Sequence, residues 1–221
     1  MKPRLILYVV TLSAVTSLQI AEASLTPVGP GGPEPDLFAG LSSNPQGNIM
    51  DTLYGPGNYT RVDDSFDQIW MNFSGAAQVR AAFAGSLSSL YYNSGSQTDF
   101  LVTSNTSLGY LNQSWVPLPS TSEPFSWTMK NTNGNTFRSI QSQNPGGVDR
   151  MVSFQITGNS GHPTNAIGDY VIAWEDLPGS GGDFQDFVVE VSSVAAIPEP
   201  SSFLLLSVGL LCAAGIIRHK N

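Results

Sequence analysis

From Asn48 to Val191 the chain is a series of short apolar–polar alternations broken by Gly, Pro, Asn and Ser. Met151–Thr157 is the cleanest. Val152, Phe154 and Ile156 fall on one side and Ser153, Gln155 and Thr157 on the other, the period of a strand with one face in a core and one in water. The same pattern predicts strands at Gln68–Phe73, Ala77–Ala84, Phe100–Thr103, Phe125–Lys130, Asp169–Trp174 and Asp186–Val191. No window between the two ends sustains a capped 3.6-residue apolar period, and no internal repeat has a fixed spacing. Many short strands with turn residues between them point to an all-β domain, an antiparallel sandwich or jelly roll.

The two ends break this pattern. Lys2 and Arg4 precede an apolar run, Leu5 to Leu18, followed by Ala21-Glu22-Ala23. A short cationic and then apolar segment before a small-x-small site reads as a secretory signal peptide (1–23) cut by signal peptidase, leaving Ser24 first. At the other end Pro198-Glu199-Pro200 leads into an apolar run, 201–217, closed by Arg218, His219 and Lys220. At about 1.5 Å per residue a helix here reaches across most of a hydrocarbon core roughly 30 Å thick. Cations just after a span mark its cytoplasmic end, so the rest of the chain is expected outside the cytoplasm. The expected organisation is a Pro/Gly-rich leader over 24–47, a β domain over 48–192 and an anchoring tail over 193–221.

Composition narrows the partners. Between Ser24 and Ile197 there are 15 acids and five bases (Arg61, Arg80, Lys130, Arg138 and Arg150), a balance of about −10. Nucleic acid and anionic lipid demand basic patches, so neither is an expected partner. The single cysteine, Cys212, lies in the apolar tail, which leaves the exported part without a disulfide. Packing, and a metal if one binds, must hold it together.

The acids are not spread evenly. One group is Asp63, Asp64 and Asp67, within Tyr54–Trp70. The other follows Trp174: Glu175 and Asp176, a turn with Pro178, Gly179, Gly181 and Gly182, then Asp183 and Asp186 before Phe187. A tight glycine turn can bring these four carboxylates together. So much negative charge in one place needs a cation among it. Ca²⁺, which accepts six to eight oxygens in loose geometry, suits Glu175, Asp176, Asp183 and Asp186, with Asp63 and Asp64 as further candidates. With two histidines in the chain, zinc lacks its usual ligands. The spacing fits neither an EF-hand nor the glycine-rich calcium nonapeptide. As solvated turns, both stretches need no metal at all.

Other chemistry has weaker support. Glu175 and Asp186 can be read as a glycosidase acid pair, but carboxylates crowded into a Gly-rich loop are more often cation ligands. His162 has serines nearby and no G-x-S-x-G elbow exists. Trp70, Trp115, Trp127, Trp174, Tyr91, Tyr92 and Tyr110 can stack on sugars, although Trp70 and Trp174 sit in strand patterns that place them in the core. No enzyme activity is expected.

Two resemblances add to this reading. The Pro198-Glu199-Pro200 box, the apolar span and the basic Arg218-His219-Lys220 end resemble the PEP-CTERM sorting signal of Gram-negative bacteria, recognised by a membrane protease, the exosortase. That resemblance implies passage across the inner membrane, cleavage near the box, and release or attachment at the cell surface or in extracellular polysaccharide. Trp174-Glu175-Asp176-Leu177-Pro178-Gly179 and Asp183-Phe184-Gln185-Asp186 resemble the E-D-L-P-G-G-G-D-x-D-[FY]-N-D signature of a β-rich domain of exported bacterial proteins. Gln185 stands where that family has Asn, and one acid is missing. Tyr59–Asp64 and Gly147–Val152 resemble further segments of it. The implied role is a structural or adhesive surface protein with a calcium site. A carbohydrate-binding module of the extracellular matrix is the alternative, and a glycan hydrolase the third reading.

Overall fold

The computed structural model describes residues 36–38, 48–104, 108–111, 113–120, 123–158, 167–177 and 184–197. These form one short helix, α1 (Ile49–Tyr54), and the strands β1 (Tyr59–Arg61), β2 (Ile69–Ala82), β3 (Ser88–Ser94), β4 (Gln97–Thr103), β5 (Gly109–Tyr110), β6 (Val116–Pro117), β7 (Ser126–Asn131), β8 (Thr136–Arg138), β9 (Met151–Ile156), β10 (Tyr170–Trp174) and β11 (Phe187–Ile197). Two antiparallel sheets result. One runs β1-β9-β10-β11-β2-β5, with β6 also on β2, and the other runs β4-β3-β7-β8. The chain is therefore mostly β, and its sheets pack face to face as in a sandwich. The signal peptide, the Pro198–Pro200 box and the apolar tail lie outside the described residues, among which no helix is long and apolar enough to cross a membrane.

Between the sheets lies an aromatic core. Trp70, Trp127, Trp174, Tyr92, Phe125, Phe137 and Phe187 are all buried there, which agrees with the core placement expected of Trp70 and Trp174. Trp127 meets Trp70 edge-on at 6.0 Å and Phe125 edge-on at 4.7 Å, while Phe125 stacks on Tyr92 at 4.2 Å. Offset and edge-on rings of this kind add to their burial energy.

The larger sheet is covered on its other face too, which sequence alternation did not reveal. Val152, Phe154, Ile156, Val171, Ala173 and Val188 meet Leu37 and the Ile49, Met50, Leu53 and Tyr54 face of α1. Ser153, expected to face water, is completely buried on the core side. Helix α1 has the caps its brevity requires. Asn48 Oδ1 accepts from the Asp51 amide at 2.7 Å, and Gly55, at φ +81°, closes the other end. Two of its first amides donate to the Asp36 and Leu37 carbonyls at 2.8 and 3.0 Å. Residues 36–38, inside the stretch expected as a leader, are thus packed against the domain. Beneath the helix Tyr54 OH donates to Glu190 Oε2 at 2.8 Å, and Arg80 Nε lies 3.4 Å from the same oxygen.

The expected strands Gln68–Phe73 and Ala77–Ala84 are one strand, β2. Its apolar rhythm breaks because its pairing with β11 slips at Ser192/Val194, where Ser74 and Ser193 take φ of +69° and +50°. Gly75 sits in this bulge, and a Cβ there would lie 2.2 Å from the Ser192 carbonyl oxygen. Gly75→Ala is accordingly expected to destabilise the fold by roughly 2 kcal/mol or more, read as a lowered midpoint in urea. β1, β3, β8 and the two-residue strands β5 and β6 went unpredicted.

Candidate metal centre

β10 and β11 form a hairpin whose connection leaves the sheet at Trp174, opposite Phe187. Glu175 and Asp176 follow one strand and Asp186 precedes the other, so the ladder itself brings them side by side. Carboxylate oxygens from all three lie within 4.8 Å of one another. Glu175 is 1 % exposed and Asp176 3 %. Asp183, the fourth expected ligand, lies outside the described residues, as do Pro178, Gly179 and the other turn glycines.

Asp176 is fixed by partners from distant parts of the chain, the carboxylates of Asp186 and Glu175 by amides of the connection itself. Asp176 Oδ2 accepts from Ser86 Oγ at 2.5 Å, on the connection from β2 to β3. The Asp176 carbonyl accepts from Asn131 Nδ2 at 2.9 Å and Asn135 Nδ2 at 3.3 Å, at the two ends of the β7–β8 turn. Asp186 Oδ2 accepts from the Asp176 amide at 2.7 Å, and Glu175 Oε1 from the Leu177 amide at 3.2 Å. Arg150 straps the connection from outside. Its carbonyl accepts from the Glu175 amide, and its Nη1 donates to the Leu177 carbonyl at 2.9 Å. The trio thus stands where the larger sheet hands over to the smaller one.

Electrostatics mark the same place. Burial, opposed by the hydrogen bond from Asp176 and reinforced by the charges of Asp176 and Glu175, pushes Asp186 up to about 9. Among the described residues, no lysine or arginine is a cause that offsets these charges at Asp186. Two species relieve such a cluster. One is a proton, shared between Asp186 and Glu175, and the other is a cation with all three carboxylates charged. Ca²⁺ binds oxygen at 2.3–2.6 Å, so two of its ligands stand at most about 5 Å apart. The 4.8 Å spread meets that condition. Carboxylates with neighbouring carbonyls are also the donor chemistry this ion prefers, so the residues present fit it.

The other acidic stretch is arranged differently. Asp63 is an exposed turn residue whose Oδ1 accepts from the Ser65 hydroxyl at 2.5 Å and from the Ser65 amide at 2.9 Å, and these two bonds, the hydroxyl's first, hold it below the usual carboxylate range. Asp64 pairs with Arg61 at 2.9 Å. Neither belongs to the trio, which is the one such group among the described residues. Asp67 is 1 % exposed and takes a hydrogen bond from Ser153 Oγ at 2.8 Å. Burial first, and then the charges of Asp149 and Asp64, push it up to about 8 against that hydrogen bond. An Asp67→Asn chain keeps the shape and removes the titration, so its stability should fall less as pH rises toward 8; an unchanged pH profile of its melting temperature would contradict this.

Sequence reasoning found Glu175, Asp176 and Asp186 but not Ser86, Asn131, Asn135 or Arg150. The Asn133-Gly134 pair, between alternating Trp127/Met129 and Phe137, was the available signal for the β7–β8 hairpin that carries both asparagines. Glu175, one of the two acids of the glycosidase reading, is 1 % exposed. No protein-family model, curated protein or solved structure matches the chain.

Proposed function

We propose that this is an exported, tail-processed protein, structural or adhesive rather than catalytic, placed at the surface of a Gram-negative cell or in its extracellular polysaccharide. In this reading Ca²⁺ at the Glu175–Asp186 connection holds the two sheets together. One observation carries the metal: three carboxylates, two of them almost wholly buried, meet within 4.8 Å at the junction of the sheets. When bound, the ion supplies positive charge that neutralises the trio and ties the hairpin turn to the residues around it. Because the site is assembled only in the fold, binding stabilises the folded chain. Asp176 transmits that fixation through Ser86 on one side and Asn131 and Asn135 on the other.

Export rests on the two termini, with signal peptidase and exosortase as processing partners and the inner membrane as the route. Mass spectrometry of the protein recovered from its native cell tests this half. The expected polypeptide begins at Ser24 and ends near Pro198–Pro200, and it is found outside the cytoplasm. A cytosolic chain with both apolar ends intact would overturn it.

A further inference from the structure

The outward face of the smaller sheet has a composition unlike the rest of this acidic chain. Leu90, Tyr92, Trp127, Met129 and Phe137 point into the core, so the residues between them along β3, β7 and β8 point out. Pairing then aligns Phe100, Tyr91, Thr128 and Arg138 in one row across all four strands, with Thr128 covered to 3 % exposure and bonded to Asn93. Three strand spacings make that row about 15 Å long. Beside Tyr91 lies Lys130, whose Nζ sits 4.5 Å from the Tyr91 ring centre. Every other outward position on these strands is Ser, Thr or Asn, and none is a carboxylate. Asp99, opposite the inward Tyr92, is on the other side.

Two features of this face call for a ligand. Phe100 meets Tyr91 edge-on at 5.8 Å yet remains 56 % exposed. Lys130 and Arg138 are also the exposed cations that meet no carboxylate among the described residues. Arg61 is paired with Asp64, Arg80 with Glu190, and Arg150 is buried against the Leu177 carbonyl.

We propose that this face binds an anionic polysaccharide. An exposed aromatic ring offers a sugar its apolar side, hydroxyl and amide side chains match its hydroxyls, and two cations meet its carboxylates or sulfates. Anionic membranes and nucleic acids draw on larger basic clusters than two residues, and a neutral glycan leaves the charge pattern without a purpose. The inference rests on the export reading, which puts the face among extracellular glycans.

Affinity electrophoresis of the full chain in mild detergent tests it, with polygalacturonate, dextran or mixed phosphatidylserine–detergent micelles as the probe. Polygalacturonate should retard the chain, more weakly as salt rises, and dextran should not. Phe100→Ala and the double change Lys130→Gln with Arg138→Gln should each weaken retardation about tenfold or more. All three side chains are exposed, so the melting temperature should hold in both variants and separate lost binding from lost folding. Absence of retardation, unchanged retardation of the variants, or binding to the phosphatidylserine micelles alone would overturn the proposal. Failure here with the protein still recovered outside the cell removes only the glycan face, whereas a cytosolic protein overturns both readings.

Discussion

Replacing Trp127 by alanine should lower stability by about 3–5 kcal/mol, the usual cost of emptying a large aromatic site in a packed core. Trp127 is fully buried on a central strand of the smaller sheet and touches Trp70, Phe125 and Tyr92. Its loss opens a void at the contact between the sheets, which no internal disulfide can offset in a chain with one cysteine. That is a large share of the roughly 5–15 kcal/mol available to a domain, and should appear as a melting temperature lower by about 10 °C or more. Phenylalanine at the same place makes the contrast. The Trp127 indole N–H is buried without a hydrogen-bond partner, so Trp127→Phe removes an unsatisfied donor along with some volume and should cost much less. Trp70→Phe should cost more than Trp127→Phe, because Trp70 Nε1 donates to the Asp67 carbonyl at 2.6 Å. If Trp127→Ala melts within a few degrees of the native chain, the two sheets do not share this core.

Without a divalent cation, the protein should lose stability on the order of several kcal/mol as pH rises from about 4 to about 9. The sign follows from the buried carboxyls. Asp186 is pushed up to about 9 and Asp67 to about 8 in the fold, whereas an unfolded aspartate titrates near 3.9. Between these values the folded chain holds protons that the unfolded chain has released. Their contribution is fully present below about pH 4 and is lost as pH rises through the folded values. Calcium reverses the trend at one site only, because it competes with the proton for charged Glu175, Asp176 and Asp186. Its stabilising effect should therefore grow with pH, and Asp67→Asn should leave that growth intact. Thermal melts across this range, with calcium or with a chelator, read both slopes. Stability that rises with pH in the chelator would contradict the account.

How much of this was readable in the sequence depends on how far apart in the chain the causes lie. Val152, Phe154 and Ile156 announced β9 because alternation is local. Ser153 misled because the second cover on that sheet, α1, lies about a hundred residues earlier, and its six residues are too few to display a helical period. β2 read as two strands because Ser74 and Gly75 accommodate a bulge whose cause is the backbone of β11. The acidic trio was legible because a Gly/Pro turn between two strand patterns brings flanking residues together whatever the rest of the fold does. Its supports were not, since Asn131 and Ser86 are 45 and 90 residues from Asp176. The exposed face with Phe100, Lys130 and Arg138 needed the register of four strands before its lack of acid could be seen.

The central claim is that a cation among Glu175, Asp176 and Asp186 locks the sandwich. The most direct test is scanning calorimetry of the full chain near neutral pH, titrated with CaCl₂ from a chelated start, beside a Glu175→Gln, Asp186→Asn chain. The native chain should melt progressively higher, gaining about 2.7 kcal/mol when calcium reaches a hundred times its dissociation constant, while the double variant should not respond. A native melting temperature indifferent to calcium, or an equal rise in both proteins, would contradict it.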